Sequence, residues 1–186
     1  CIEAANIQAG DNVLLLGTGG VSIFGLQIAK ALGANVIITS SSDDKLARAA
    51  DLGADATINY KDNLDWGKQA FEVAGSGVNL VIEIGGGGTF NQSMEALTIG
   101  GHISIIGALS GVSTELNLLS MVFKNVHTHG ITVGTREDHE AMNQFFSEHQ
   151  IHPIIDKEVS FEEGAEAIIG IASGNHFGKI VVNINN

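Results

Sequence analysis

Leu14-Leu15-Leu16-Gly17-Thr18-Gly19-Gly20-Val21-Ser22 is the stretch whose reading decides how this chain folds. The run Asn12–Leu16 is short and apolar and stops at Gly17, which suits a strand buried on both faces of a parallel sheet. After it, Val21, Phe24, Ile28 and Leu32 follow helical spacing until Gly33 ends the run. A glycine turn between a strand and a helix carries a specific chemistry. Gly17 permits a tight turn, Gly19 lets the backbone approach a pyrophosphate, and position 22 must be small so that helix and strand pack closely. Ser22 departs from the glycine of the strict G-x-G-x-x-G spacing. The helix N-terminus then offers unpaired N–H groups and a partial positive charge to phosphate. A tight turn with no ligand is the plain alternative, and the strand–turn–helix context weighs against it.

The alternation continues outward. Further strands are expected at 35–39, 56–59, 79–84, 102–106, 127–133, 155–159 and 180–184. Helices are expected at 43–52, 64–74, 90–97, 118–124, 138–149 and 161–172. Strands alternating with helices imply βαβ crossovers. The fold expected is α/β and doubly wound, a mostly parallel six-stranded sheet with helices on both faces. Gly85–Gly88 and Gly100-Gly101 read as turns at strand edges.

Composition narrows the function. The 186 residues fit one domain. Nine Lys and Arg against 21 Asp and Glu leave a net charge of −12, which disfavours nucleic acid and anionic lipid as partners. One cysteine forms no internal disulfide and no Cys-rich zinc site. No apolar stretch reaches the ~18 residues of a membrane span, and no basic leader precedes an apolar run. The reading is therefore a cytoplasmic protein. Cys1-Ile2-Glu3-Ala4-Ala5 reads as the last turns of a helix. Residues 1–10 are thus expected to be the tail of a linking helix from a preceding domain, with a dinucleotide-binding domain at 11–186.

The end of the second strand bears on which dinucleotide. A site for NAD usually places an acidic residue about 20 positions on, against the ribose 2′-OH. Here the chain has Thr39-Ser40-Ser41-Ser42, with Lys45 close behind. A carboxylate would repel a 2′-phosphate, whereas hydroxyls and an ammonium accept it. NADP(H) is expected over NAD(H). Ser42 or Asp43 is also expected to cap the following helix.

Read this far, the chain resembles the medium-chain dehydrogenase/reductase superfamily, in its zinc-type alcohol dehydrogenase-like and quinone oxidoreductase branches. The stretches that carry the resemblance are 10–21, 27–34, Leu52-Gly53-Ala54-Asp55, Ile58-Asn59-Tyr60, Gly100-Gly101-His102 and Phe177-Gly178-Lys179-Ile180-Val181-Val182. It covers nearly the whole chain and implies a Rossmann domain that binds a nicotinamide dinucleotide for hydride transfer. By the same resemblance Gly17, Gly19, Gly20 and Val21 hold the pyrophosphate. Ser40, Ser41, Lys45 and Tyr60 lie on the 2′-phosphate side. Gly85, Gly107-Ala108-Leu109 and Val133-Gly134 run under the ribose and nicotinamide, and Arg136 reaches the cofactor. Members of the family also carry an N-terminal GroES-like catalytic domain with the substrate pocket and any zinc. No such segment is present here, and Cys1 does not match the zinc-ligand spacing.

Other motifs resolve to plainer readings. His139-Glu140 lacks the second histidine of a zinc protease, because position 143 is Asn. His149/His152 and His127/His129 lack acidic or Cys partners. Gly174–Ile180 is one residue short of a P-loop and precedes a strand, so it reads as a turn. Glu83-Ile84-Gly85 follows the fourth strand, where a methyltransferase would use the first. Tyr60 has Lys61 directly after it, not four positions on. No catalytic residue and no metal ligand is assigned. The function expected is the cofactor domain of an oxidoreductase acting on a small alcohol, carbonyl or enone substrate held by the missing domain. The parent is expected to be a homodimer through the edge strand at 127–133. The alternative is a non-catalytic dinucleotide-binding regulatory or interaction module.

Overall fold

The computed structural model describes residues 1–184; the last two residues of the expected 11–186 domain lie outside the described residues. Eight strands and seven helices follow in order. They are β1 (Asn12–Leu15), α1 (Gly20–Ala31), β2 (Asn35–Ser40), α2 (Asp43–Asp51), β3 (Ala56–Asn59), α3 (Trp66–Val73) and β4 (Val78–Glu83). After a 3-10 turn at Gly86–Gly88 come α4 (Phe90–Ala96), β5 (Leu97–Ile105), α5 (Leu118–Lys124), β6 (His127–Gly130), α6 (Arg136–Glu148), β7 (Ile155–Ser160), α7 (Gly164–Ile171) and β8 (Lys179–Asn183).

Six strands form one sheet in the order β3-β2-β1-β4-β5-β6, every neighbour parallel. This is the doubly wound arrangement expected. Period-two alternation in β1 divides the core in two. Val13 and Leu15 pack with Ile23 and Leu26 of α1 and with Leu46 and Ala49 of α2. Leu14 and Leu16 pack on the other face with Trp66 and Ala70 of α3 and with Phe90 and Met94 of α4. Each fully buried Leu or Ile here contributes roughly 1.5–3 kcal/mol relative to exposure. The glycines after α1 and α2 end them as expected. Gly33 has φ +79, and Ala34 N–H reaches back to Ala29 O at 3.0 Å.

Several boundaries differ from expectation, each for a local reason. β6 stops at Gly130, not 133, because β5 ends at Ile105 and residues beyond Ile131 have no ladder to join. β5 starts early at Leu97 and bulges. Val78 pairs with Leu97 but Leu80 pairs with His102, so the Gly100-Gly101 turn sits inside a strand. α7 starts at Gly164, since Ser160 N–H bonds the Glu163 carboxylate at 3.0 Å and closes a separate turn first. β7 and β8 make their own two-stranded parallel sheet. At the start of the chain, Ile7 N–H bonds Ile2 O at 3.2 Å around Asn6 at φ +50, one helical turn with a left-handed cap.

Candidate functional site: the carboxyl edge of the sheet

Because all six strands run parallel, their C-terminal ends share one edge. The chain winds from β1 out to β3, returns, and winds from β4 out to β6, so a crevice opens between β1 and β4. The residues expected to form the site fall along this edge in spatial order: Tyr60 after β3, Ser40 and Ser41 at β2, the glycine turn after β1, Gly85 after β4, Gly107-Ala108-Leu109 after β5, and Val133-Gly134 after β6. At ~4.8 Å per strand the row spans roughly 24 Å, room for an extended ligand.

The glycine turn is the centre. Gly17 has φ +70, and its N–H donates to the Thr39 hydroxyl at 3.3 Å. Gly19 is the N-cap of α1, with no side chain capping the helix and no acidic residue in its first turn. The end that would bind an anion therefore has no competing carboxylate. Ser22 is fully buried, and its hydroxyl donates to Leu16 O at 2.6 Å. The serine in the third-glycine position thus ties the helix to the strand end it packs against.

The far end of the chain closes over this turn. Gly178 N–H donates to Thr18 O at 3.0 Å, and Gly19 and Gly178 form a parallel bridge. A Cβ on Gly20 would lie 2.6 Å from Lys179 Nζ, so the glycine leaves the space the lysine fills. His176 Nε2 stands 3.8 Å from where a Cβ on Gly19 would be, while its Nδ1 is buried without a hydrogen-bond partner among the described residues. Phe177 anchors the segment in the core, with Arg48 stacked 4.1 Å from its ring. Burial pushes the Asp156 carboxyl up, but the Arg48 guanidinium at 2.9 Å and Phe177 N–H outweigh it and hold it below its ordinary range.

The residues at the end of β2 are arranged less simply. Ser40 is buried and takes Tyr60 N–H on its carbonyl at 3.1 Å, which brings Tyr60 beside it. Ser42 takes the N-cap position of α2, but its side chain caps nothing. Asp43, the other expected cap, instead accepts Asn59 Nδ2 at 2.8 Å. Lys45 Nζ is held on Gly174 O at 2.5 Å. Partial burial lowers its pKa from the ordinary lysine value, against the pull of Asp156. Arg136 opens α6 and pairs with Glu140 at 2.7 Å on its own helix. Val133 is 90% exposed and Leu109 84% exposed.

Two of the basic groups at the turn were not legible as site residues. Lys179 and His176 sit in the stretch that reads as a failed P-loop, and only the pairing of Gly178 with Gly19 brings them to the turn. Glu83, at the end of β4, is fully buried with its carboxylate facing the Gly85–Gly88 loop. The signal that could have found it was an acidic residue ending an otherwise apolar strand. A depression lined by Asn91, Glu95, Glu115 and Ser120 contains none of the edge residues. Among the described residues, no group of three or more His, Cys, Asp and Glu stands placed to hold a metal ion.

A family profile described as zinc-binding dehydrogenase matches residues 20–148. The chain belongs to the zinc-binding dehydrogenase family. It is 42% identical over 184 residues to a zinc-type alcohol dehydrogenase-like protein of Schizosaccharomyces pombe, covering 96% of this chain and 53% of that protein. A solved NAD-dependent alcohol dehydrogenase superposes with a TM-score of 0.91 at 32% identity, over 99% of this chain and 54% of that one. A 2-octenoyl-CoA carboxylase reductase in complex with NADP and 2-octenoyl-CoA superposes at 0.89 with 26% identity, over 96% of this chain and 44% of that one. The chain spans about half the length of the curated relatives it matches. Relatives named for each nucleotide, NAD and NADP, share this zinc-binding dehydrogenase fold.

Proposed function

We propose that this chain binds a nicotinamide dinucleotide along the carboxyl edge of its sheet, NADP(H) in preference to NAD(H), as the cofactor half of an oxidoreductase. The observation that carries the reading is the α1 N-terminus, uncapped and free of acidic residues, with the Lys179 ammonium laid against Gly20. Backbone N–H groups, a helix end and a cation converge there, which is what a pyrophosphate requires.

When bound, the nicotinamide gives or takes a hydride; the protein supplies position and electrostatics. Gly17, Gly19, Gly20 and Val21 hold the pyrophosphate with Lys179. Ser40 and Ser41 offer hydroxyls to a 2′-phosphate, with Tyr60 beside them and Lys45 within its side chain's reach. Gly85, the Gly107–Leu109 backbone and Val133-Gly134 border the ribose and nicotinamide. Arg136 reaches the cofactor only by leaving Glu140. No residue of this chain is assigned a proton-transfer role.

The reading extends to the whole protein. A GroES-like companion domain preceding residues 1–10 supplies the substrate pocket and any zinc. The exposed Ile168 and Ile169 on α7 support it, since an apolar helix face needs a cover. The substrate is a small alcohol, carbonyl or enone. The parent is a cytoplasmic homodimer through β6, the edge strand whose outer N–H and C=O groups have no partner strand in this sheet.

Titration of the full-length protein with NADPH and NADH at one salt concentration tests the reading. NADPH binding about tenfold tighter, ~1.4 kcal/mol, supports it. Tighter NADH binding overturns the 2′-phosphate assignment alone, and binding of neither overturns the cofactor site.

A further inference from the structure

Glu83 ends β4 with no exposed surface, yet it forms no ion pair among the described residues. Its carboxylate is spent on the loop that follows it. Oε1 accepts Gly85 N–H at 2.8 Å, Gly86 N–H at 3.0 Å and the Thr89 hydroxyl at 2.6 Å. Oε2 accepts the Ser93 hydroxyl from α4. A carboxylate is the side chain with enough lone pairs to take all four donors. An aliphatic residue would fit the strand's apolar pattern but leave the buried Gly85 N–H and the part-buried Gly86 N–H without that acceptor.

The loop held this way is locked to its neighbour. Glu83 O accepts Ile106 N–H at 2.8 Å, and Ile84 O accepts Leu109 N–H at 3.2 Å. Gly85 O takes both the Ser110 N–H at 2.7 Å and the Ser110 hydroxyl at 2.8 Å, and Gly87 N–H reaches Gly111 O at 2.7 Å. Gly86 has φ +78, and a Cβ there would stand 2.5 Å from Gly111 O, so the two loops touch backbone to backbone. One buried carboxylate thus sets the shape of the Gly85–Gly88 loop, and that loop sets the path of residues 107–111. Both lie at the β4 and β5 ends of the edge, on the opposite side of the crevice from Ser40 and Tyr60.

We infer that Glu83 is the positioning residue for the nicotinamide half of the cofactor site. It acts through the backbone it holds, touching no ligand itself, and the adenosine half at β2 and β3 is independent of it. This rests on the dinucleotide reading above. The structural consequence is a split: loss of Glu83 weakens the whole dinucleotide and leaves its adenosine half bound as before.

The test uses the full-length protein and two probes. One is NADPH or NADH, whichever the wild type prefers. The other is its adenosine half, 2′,5′-ADP or 5′-AMP to match. In Glu83→Ala, affinity for the dinucleotide falls about tenfold or more, as expected for losing several hydrogen bonds to a charged group, and the adenosine probe stays within about twofold. Glu83→Gln restores the dinucleotide to within about threefold, because its amide oxygen keeps the Gly85, Gly86 and Thr89 donors and its NH2 can face Ser93 Oγ. Should Glu83→Ala fail to fold, Thr89→Val and Ser93→Ala each remove one donor to Glu83 and show the same split at smaller size. Equal losses for both probes, no loss for either, or no rescue by Gln overturns the assignment. If the wild type binds neither probe, the dinucleotide reading falls and this assignment with it; if the wild type binds and the split is missing, only this assignment falls.

Discussion

Gly178 and Thr18, far apart in the sequence, are joined by a 3.0 Å hydrogen bond, N–H to carbonyl. That bond and the neighbouring Gly19–Gly178 bridge set Lys179 against Gly20 and His176 against Gly19. The turn proposed to hold phosphate is therefore built from two segments far apart in the sequence. A phosphate there would be gripped by a helix terminus on one side and by a lysine on the other.

Replacing that lysine should separate the two grips. Lys179→Met keeps the length of the side chain and removes the charge. NADPH affinity is expected to fall about fivefold to tenfold, in line with a charge-assisted hydrogen bond of roughly 1–1.5 kcal/mol. Its dependence on ionic strength should flatten, because one fewer charge is screened. Titrations at two or three salt concentrations check both, and an unchanged salt dependence would remove Lys179 from the site.

Nucleotide choice is expected to turn on Ser40, which is buried at the end of β2 beside Tyr60. Ser40→Asp puts a carboxylate where a 2′-phosphate would sit. NADPH affinity should fall by about tenfold or more while NADH holds or improves. Steady-state kcat/KM for the two cofactors reads it directly. Equal losses for both would mean that Ser40 supports the fold alone.

Phe177 ties the closing segment to the core, fully buried under the Arg48 guanidinium. Phe177→Ala is expected to cost about 3–5 kcal/mol, the usual range for a buried aromatic. For a chain of this size each kcal/mol lowers Tm by roughly 2–4 °C, so calorimetry would show a fall of about 6–20 °C. Added NADPH should recover part of it by mass action.

Three histidines crowd the outer edge of the sheet. His102 stacks on His127 with ring centroids 4.7 Å apart, and its Nδ1 lies 3.0 Å from His129 Nε2. Burial first, then the charges of His127 and His129, lower its pKa from the ordinary value. The folded protein thus resists a proton that the unfolded chain accepts. Stability should be level above about pH 7 and fall as pH drops through about 6.5, the ordinary histidine value, towards the lower folded pKa. His102→Asn should flatten that slope in urea unfolding measured across pH 5 to 8.

Much of this architecture was legible in the local pattern of the sequence. Apolar runs that stop at glycine, followed by helical spacing that stops at another glycine, set strand and helix by period and cap. Gly17, Ser40, Gly85, Gly107 and Val133 all lie at or just past strand ends, and parallel strands put such residues on one edge whatever the details. Boundaries failed where a neighbour decided them. Nothing within 127–133 says that β5 will end at Ile105 and leave residues 132–133 without a ladder.

The sequence by itself determined the strands, the helices and the glycine turns between them, because periodicity and turn chemistry act within a few residues of themselves. Tertiary structure alone decided which charges stand at the carboxyl edge of the sheet. It brought Lys179 to Gly20, held Lys45 on Gly174 and turned Glu83 inward to hold the loop after β4. The physical reason is range. A side chain's partner across the fold depends on which distant backbone segments pair, and for Lys179 that pairing is the bridge between Gly19 and Gly178.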